Sequence, residues 1–407
     1  VCVNRSMRIG ISCYPTFGGS GVVATELAMA LAGGGDEVHV ISYALPSRLS
    51  LLSPNLFFHE VVVPHYPLFE YPPYSLALAS KMAEVARHQK LDLMHVHYAV
   101  PNAISAILAK QILAPLPLAV VTTLHGTDIT LVGNDPSYLE TTRFGLRSSD
   151  AVTSVSSSLR VATFDQLGLD VSRIEVIPNF IDPQRYEAVR GKAGARRWAK
   201  PGEKILIHIS NFRPVKRIMD VLDVFFEVRK SVPARLLLVG DGPDRAKAEE
   251  RCRRGGYCGS VTFLGNIAAV EEVLVGADLF LLPSESESFG LAALEALSCA
   301  VPVVASTAGG IPEVVRDGVD GLLFPVGAVH EMAKGAVGLL SDSDRHAQFA
   351  AAGREGAVER FAQARIVGQY RSLYERTLAG LAPTAAAADS RSPGSLASAS
   401  VGGASAN

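Results

Sequence analysis

Short apolar runs, rich in Val, Ile and Leu, recur along the chain and are separated by longer stretches of helical character. In the first half the runs are RIGISC (8–13), EVHVISY (37–43), LMHVH (93–97), LAVVTTL (118–124), AVTSVS (151–156) and IEVIP (174–178). In the second half they are KILIHIS (204–210), RLLLVG (235–240), VTFLG (261–265), LFLLP (279–283), PVVAS (302–306) and GLLFP (321–325). Runs that are nearly continuous, rather than alternating, belong to strands buried on both faces. Strands that alternate with helices imply parallel α/β layers. Helices are expected at 21–33, 75–89, 216–230 and 243–254, with a final one at 361–380.

The two halves share this rhythm, and 407 residues exceed one typical core. Two Rossmann-like, doubly wound α/β domains facing across a cleft are therefore expected. The link PNFIDP (178–183) divides them into 7–180 and 181–360, with the helix 361–380 packing back on the first. From residue 382 the chain turns Ala/Ser/Gly/Pro-rich and reads as a disordered tail. The residues before Met7 (VCVNRS) read as an upstream start or a remnant.

Composition narrows the function classes. A net charge of −2 disfavours nucleic acid as the main partner. No apolar run reaches the roughly eighteen residues of a membrane span, and no basic-then-apolar leader opens the chain. Five cysteines, at 2, 13, 252, 258 and 299, form no framework and point to a reducing cytoplasm.

Ligands of open α/β sheets bind beyond the carboxyl ends of strands, so those loops carry the candidate chemistry. After the first run, Gly18-Gly19-Ser20-Gly21 opens a helix, where glycine permits close approach and helix N–H groups favour anions. It is not G-x-G-x-x-G, and no acidic residue ends the second run, so dinucleotide binding is poorly supported. LAVVTTL runs into His125-Gly126-Thr127-Asp128, which puts His125 at a strand end. His95 and His97 share one strand face; a tri-histidine metal site with His125 is conceivable, but no carboxylate pattern supports it. Tyr98, next along, can contact a small ligand. Asn211-Phe212-Arg213-Pro214-Val215-Lys216 places two cations at a helix start, an unfavourable end for them unless an anion is bound. In SESESFGLAALEAL (284–297), Glu287 precedes a helix and Glu295 falls nearly two turns inside it, with Ser286 and Ser288 as cap candidates. That spacing of roughly 10 Å along the axis suits a sugar and a ribose at the two carboxylates, with a diphosphate between them at the helix start.

Taken together, GGSG, HG at 125–126, Arg213 with Lys216, Glu287-x7-Glu295, AGGIPEVV (308–315) and DGVDGLLFP (317–325) resemble the retaining glycosyltransferases of family 4, which have the GT-B fold. The likeness covers residues 7 to about 380. YPTFGGSGVVATELA, HVHYAVPNA, TTLHGTDITLVG, TRFGLRSSDAVTSVS and HISNFRPVKR look more narrowly like the branch that joins GlcNAc from UDP-GlcNAc to L-malate in the first step of bacillithiol biosynthesis. The resemblance implies roles. Gly19 and Ser20 lie against the diphosphate and the acceptor, and Arg213 and Lys216 hold the diphosphate. Glu287 meets the sugar hydroxyls, Glu295 the ribose, and His125 sits near the reacting carbon. Asn211, Phe289, Gly290 and Leu291 complete the donor side. Tyr98, Thr123 and Arg143 line the malate site, Arg143 pairing a carboxylate. No metal or cofactor is expected, and a homodimer is expected by analogy. Alternatives are another small acceptor such as inositol phosphate, or a UDP-GlcNAc 2-epimerase.

Overall fold

The structure, a computed structural model, describes residues 6–16 and 18–381. Most of VCVNRS, and the tail from residue 382, lie outside the described residues. The first sheet contains β1 (Arg8–Ser12), β2 (Glu37–Ser42), β3 (Leu56–Glu60), β4 (Leu93–His97), β5 (Ala119–Leu124), β6 (Ala151–Ser154) and β7 (Ile174–Val176), in the order β3-β2-β1-β4-β5-β6-β7. The second contains β8 (Lys204–Ile209), β9 (Ala234–Val239), β10 (Val261–Gly265), β11 (Leu279–Leu282), β12 (Val303–Ser306) and β13 (Gly321–Phe324), in the order β10-β9-β8-β11-β12-β13. Neighbouring strands pair in parallel throughout, from Arg8↔Glu37 in the first sheet to Ser306↔Phe324 in the second. In each sheet the strand order reverses between a central pair, β1/β4 and β8/β11, where a doubly wound sheet opens its ligand crevice.

Every run singled out by hydrophobicity forms a strand. The strand missing from that reading is β3, LFFHE, at the sheet edge, where its side chains are mostly half-exposed and the apolar VVV after it blurs its end. The helix expected from 216 starts two residues later. Pro214–Lys216 form a 3-10 turn and Arg217 is left-handed (φ 50°), so the helix proper is Ile218–Arg229. The final helix begins at Gln363, after an extended Ala362 that ends the preceding helix Ser343–Phe361.

That final helix, Gln363–Leu381, buries Ile366, Tyr370, Leu373 and Tyr374 in the core of the first sheet, with Ile9, Ile11, Leu27 and Leu93. The Tyr374 hydroxyl is 2.7 Å from Nδ1 of His95. Ile181 and Ala362 form a bridge, so the chain passes between the lobes twice at one place.

The lobes also meet near the carboxyl ends of the strands. Gly126, after β5, takes φ 118°, and a Cβ there would lie 1.6 Å from Oγ of Ser288 in the other lobe. Ser156 Oγ donates to the Ser288 carbonyl at 2.5 Å. The Glu313 carboxylate accepts from the Ser157 and Ser158 amides at 2.9 and 2.8 Å, capping the helix Ser157–Leu167 from the opposite lobe. The turn that carries Gly126 is shaped by Asp128. Its fully buried carboxylate accepts from the amides of Gly126 (2.7 Å), His125 (3.1 Å) and Ala99 (3.2 Å). Burial pushes the Asp128 carboxyl up to about 6, against the pull of those donors.

Gly126→Ala should lower the melting temperature, because alanine must adopt a strained φ and displace Ser288, together costing about 1–4 kcal/mol. Adding Ser288→Gly should recover the contact part and not the φ part. Equal melting temperatures for the single and double variants would show that the contact does not matter. A second expectation concerns pH. A carboxyl raised in the fold stabilises it fully below its ordinary value and loses that contribution as pH rises through about 6. Asp128→Asn cannot titrate, so the parent's stability advantage over it should shrink by about 2 kcal/mol between pH 4.5 and 7. Urea melts of both at the two pH values provide the check.

Candidate functional site

The candidate residues gather at the two crevices. Gly19 and Ser20 follow β1, Tyr98 follows β4 and His125 follows β5; opposite them, Asn211 to Lys216 follow β8 and Ser284 to Glu287 follow β11. Gly19 takes φ 58° and starts the helix Ser20–Gly33, and a Cβ on it would meet nothing within 4 Å, so this helix end is open. Its first N–H groups have no partners within the helix.

On the second lobe, Lys216 Nζ lies 2.6 Å from Glu287 Oε1, which also accepts from Ser284 Oγ at 3.0 Å. Both side chains of this pair are largely buried, at 20% and 13% exposure, so the carboxylate is held in one place. Arg213 makes no ion pair with any described residue. Burial raises the Tyr98 phenol, as do Asp128 and Tyr14, while the positive charge of Arg213 opposes them. The guanidinium is therefore close enough across the cleft to be felt by the first lobe. A cation without a carboxylate, beside a helix start, is suited to an anion.

Three details of the SESESFGLAALEAL reading are corrected. The helix is shorter, Leu291–Ser298, so Glu295 is its fifth residue rather than nearly two turns in. Neither Ser286 nor Ser288 caps it; Gly290 does, at φ 96°, leaving the first amides without a side-chain acceptor. Phe289 packs edge-on against Phe361 in the core, so only its backbone can face the cleft. Glu295 itself is nearly enclosed, and its nearest cation is Arg48 of the first lobe, at 3.6 Å.

The first lobe contributes an aromatic wall. Tyr98, at the unusual φ of 91°, stacks on His125 (6.2 Å, 15°) and meets Tyr14 edge-on (5.3 Å, 88°). His125 Nε2 and His97 Nδ1 share a hydrogen bond of 2.9 Å. Burial drives His125 down to about 3 and His97 well below its ordinary value, so both rings are neutral at pH 7. The tri-histidine metal site is not formed. His95 has both nitrogens engaged, by Tyr374 and by Thr123, and no group of three or more His, Cys, Asp or Glu among the described residues could hold a metal ion.

Two acceptor-side candidates have their polar groups engaged within the first lobe. Thr123 is fully buried, with its hydroxyl between His95 Nε2 (2.7 Å) and Thr153 Oγ1 (2.6 Å), so it presents no surface to a ligand. Its position on the strand, rather than beyond the strand's end, is the reason. Arg143 donates through Nε to the Leu167 carbonyl (3.0 Å) and through Nη1 to Glu140 (2.8 Å), and remains 30% exposed. Sequence reading also passed over Asp128, Ser284, Ser156 and Arg48. For Asp128 a signal existed, an acid two residues beyond a strand-end glycine. The others act through contacts between segments far apart in the chain.

Known proteins converge on one family. Residues 17–185 match the model for glycosyltransferase family 4, and residues 195–356 that for glycosyl transferases group 1. The chain is 47% identical over 369 residues to the N-acetyl-alpha-D-glucosaminyl L-malate synthase of Bacillus anthracis, covering 90% of this chain and 96% of that one. A D-inositol 3-phosphate glycosyltransferase of Nocardia farcinica is 28% identical, over 81% and 78%. Among solved structures, Anabaena HepE with UDP and glucose superposes with a TM-score of 0.76 at 22% identity, covering 91% and 99%. Sucrose-phosphate synthase of Thermosynechococcus elongatus gives 0.74 at 21%, covering 92% and 100%. No helix among the described residues is long and apolar enough to cross a membrane. The chain belongs to the family 4 glycosyltransferases and has their GT-B fold.

Proposed function

We propose that this enzyme moves GlcNAc from UDP-GlcNAc to the hydroxyl of L-malate, retaining the α-configuration and releasing UDP, as the first step of bacillithiol biosynthesis. The observation that carries this reading is the 47% identity over nearly the full length of the Bacillus anthracis synthase. The free thiols of Cys13, Cys252, Cys258 and Cys299 suit work in the cytoplasm.

In this reading the diphosphate lies between Arg213, Lys216 and the open start of the helix Leu291–Ser298, bordered by Asn211 and the Phe289-Gly290-Leu291 backbone and faced by Gly19. Glu287, fixed by Lys216 and Ser284, accepts from the sugar hydroxyls. Glu295 takes the ribose. Neutral His125 sits beside the sugar near the reacting carbon, and Ser20, Tyr98 and Arg143 receive malate. The malate oxygen attacks the anomeric carbon from the face that the diphosphate leaves. The bond to the diphosphate oxygen breaks, and the malate proton passes to that oxygen. In this front-face route Glu287 serves the sugar hydroxyls, and no carboxylate nucleophile is needed as it is in a double displacement. Arg213, Lys216 and the helix start stabilise the charge that develops on the diphosphate.

Malate should elicit UDP release from UDP-GlcNAc, and inositol phosphate should not. Release with inositol phosphate instead would move the enzyme to another acceptor class, and UDP-ManNAc formed without any acceptor would make it an epimerase. Arg143→Ala should raise the malate KM roughly 10- to 100-fold through the loss of a charge-assisted contact, with UDP affinity unchanged. An unchanged malate KM removes Arg143 from the site. Lys216→Ala should lower kcat by roughly 10²- to 10³-fold, as loss of one charge-stabilising group does. A change confined to KM would assign Lys216 to ground-state binding alone.

A further inference from the structure

Beneath the donor end of the cleft lies a group of charges of which only Glu295 has a role above. Glu26 and Arg48 come from the first lobe, Arg185 from the link between lobes, and Glu271 and Glu295 from the second. Arg185 is well matched: it donates to both oxygens of Glu271 (2.7 and 2.9 Å) and to Glu26 (2.8 Å). Arg48 is not. It lies 3.6 Å from Glu295 and 3.7 Å from Glu26, beyond good hydrogen-bond range, and its buried Nε has no partner among the described residues. Three carboxylates thus share two guanidiniums. Arg48 is 11% exposed and Glu295 8%, so solvent screens their interaction weakly.

We propose that Arg48 is a positioning residue for the donor. Reaching from the acceptor lobe, it keeps Glu295 ionised and oriented so that both carboxylate oxygens can accept the ribose hydroxyls. Nucleotide binding is thereby tied to the closed arrangement of the lobes. The role rests on the reading that Glu295 meets the ribose. The other groups facing Glu295 cannot replace Arg48. Arg185 is committed to Glu271 and Glu26, Glu271 carries like charge, and Tyr186 and Cys299 are neutral, their acidities suppressed by burial. Without Arg48 the buried Glu295, beside Glu271 and without a cation of its own, takes up a proton and loses one acceptor.

The test is calorimetric binding of UDP and of 2′,3′-dideoxy-UDP to the full chain from pH 6 to 9. Arg48→Gln should weaken UDP roughly tenfold at pH 7, the loss of one hydrogen bond to a charged group. The ratio of variant to parent should approach one as pH rises and Glu295 ionises again. Arg48→Lys, which retains the charge, should stay near the parent, and the dideoxy nucleotide should bind parent and Gln variant alike. If Arg48→Gln does not fold, Arg48→Met, which keeps the apolar stem, carries the same expectation. A deficit that is independent of pH, or equal for both nucleotides, would overturn the proposal. Glu295→Gln separates the two layers: if it binds UDP as the parent does, the ribose assignment falls, and the role of Arg48 with it.

Discussion

The close approach of the two lobes at Ser288 is the constraint on which the site depends. A serine of the second lobe occupies the space that a side chain on Gly126 would need, and its carbonyl is held by Ser156 from across the seam. Behind it, Gly309 and Gly310 let the next loop lie against the same segment; a Cβ on Gly309 would fall 2.0 Å from the Glu287 carbonyl, and one on Gly310 2.5 Å from the Ser288 carbonyl. The stretch 287–289 is thus clamped between glycines on both sides. The carboxylate that the proposed mechanism assigns to the sugar hydroxyls is positioned by these backbone contacts together with its own hydrogen bonds to Lys216 and Ser284. A shift of one ångström there would matter, since orientation of reacting groups accounts for much of an enzyme's rate.

Electrostatics divides the cleft into unlike halves. On the acceptor side, burial keeps His97 and His125 neutral and raises the phenols of Tyr14 and Tyr98, so that wall offers hydrogen bonds and ring faces without charge. On the donor side, Lys216 is neutralised by Glu287 while Arg213 has no carboxylate partner among the described residues. An incoming anion therefore meets one uncompensated cation and one that must share its charge. In the front-face route we propose, that imbalance favours the moment at which the departing diphosphate gains charge, when a second cation is worth most.

Much of the fold was legible because its strands are buried on both faces and so declare themselves as apolar runs. The edge strand β3 is not buried in that way, and it was the one missed. The site was legible where chemistry is local: glycine at a helix start, two cations three residues apart, a histidine at a strand's end. It was not legible where chemistry comes from contact between distant segments. Ser286 and Ser288 looked like caps because serine favours that position, yet the backbone between them and the helix turns through a left-handed Gly290 and takes the cap away. The resemblance placed Thr123 at the acceptor, but β-strand alternation turns its hydroxyl toward His95 and Thr153.

The same distinction bears on the two glutamates. Eight positions apart in the chain, Glu287 and Glu295 look equivalent, and spacing alone assigns them parallel tasks at the two ends of one ligand. Their surroundings are opposite. Glu287 has a cation from its own lobe at 2.6 Å and a serine at 3.0 Å, so its charge and direction are settled before any ligand arrives. Glu295 is more deeply enclosed, its carboxyl is raised by burial, and the first cation to offset that comes from the other lobe. A carboxylate whose ionisation depends on a residue across the seam is sensitive to whether the seam is closed. Glu287 therefore has its counter-charge within its own lobe, whereas Glu295 draws its counter-charge from across the seam.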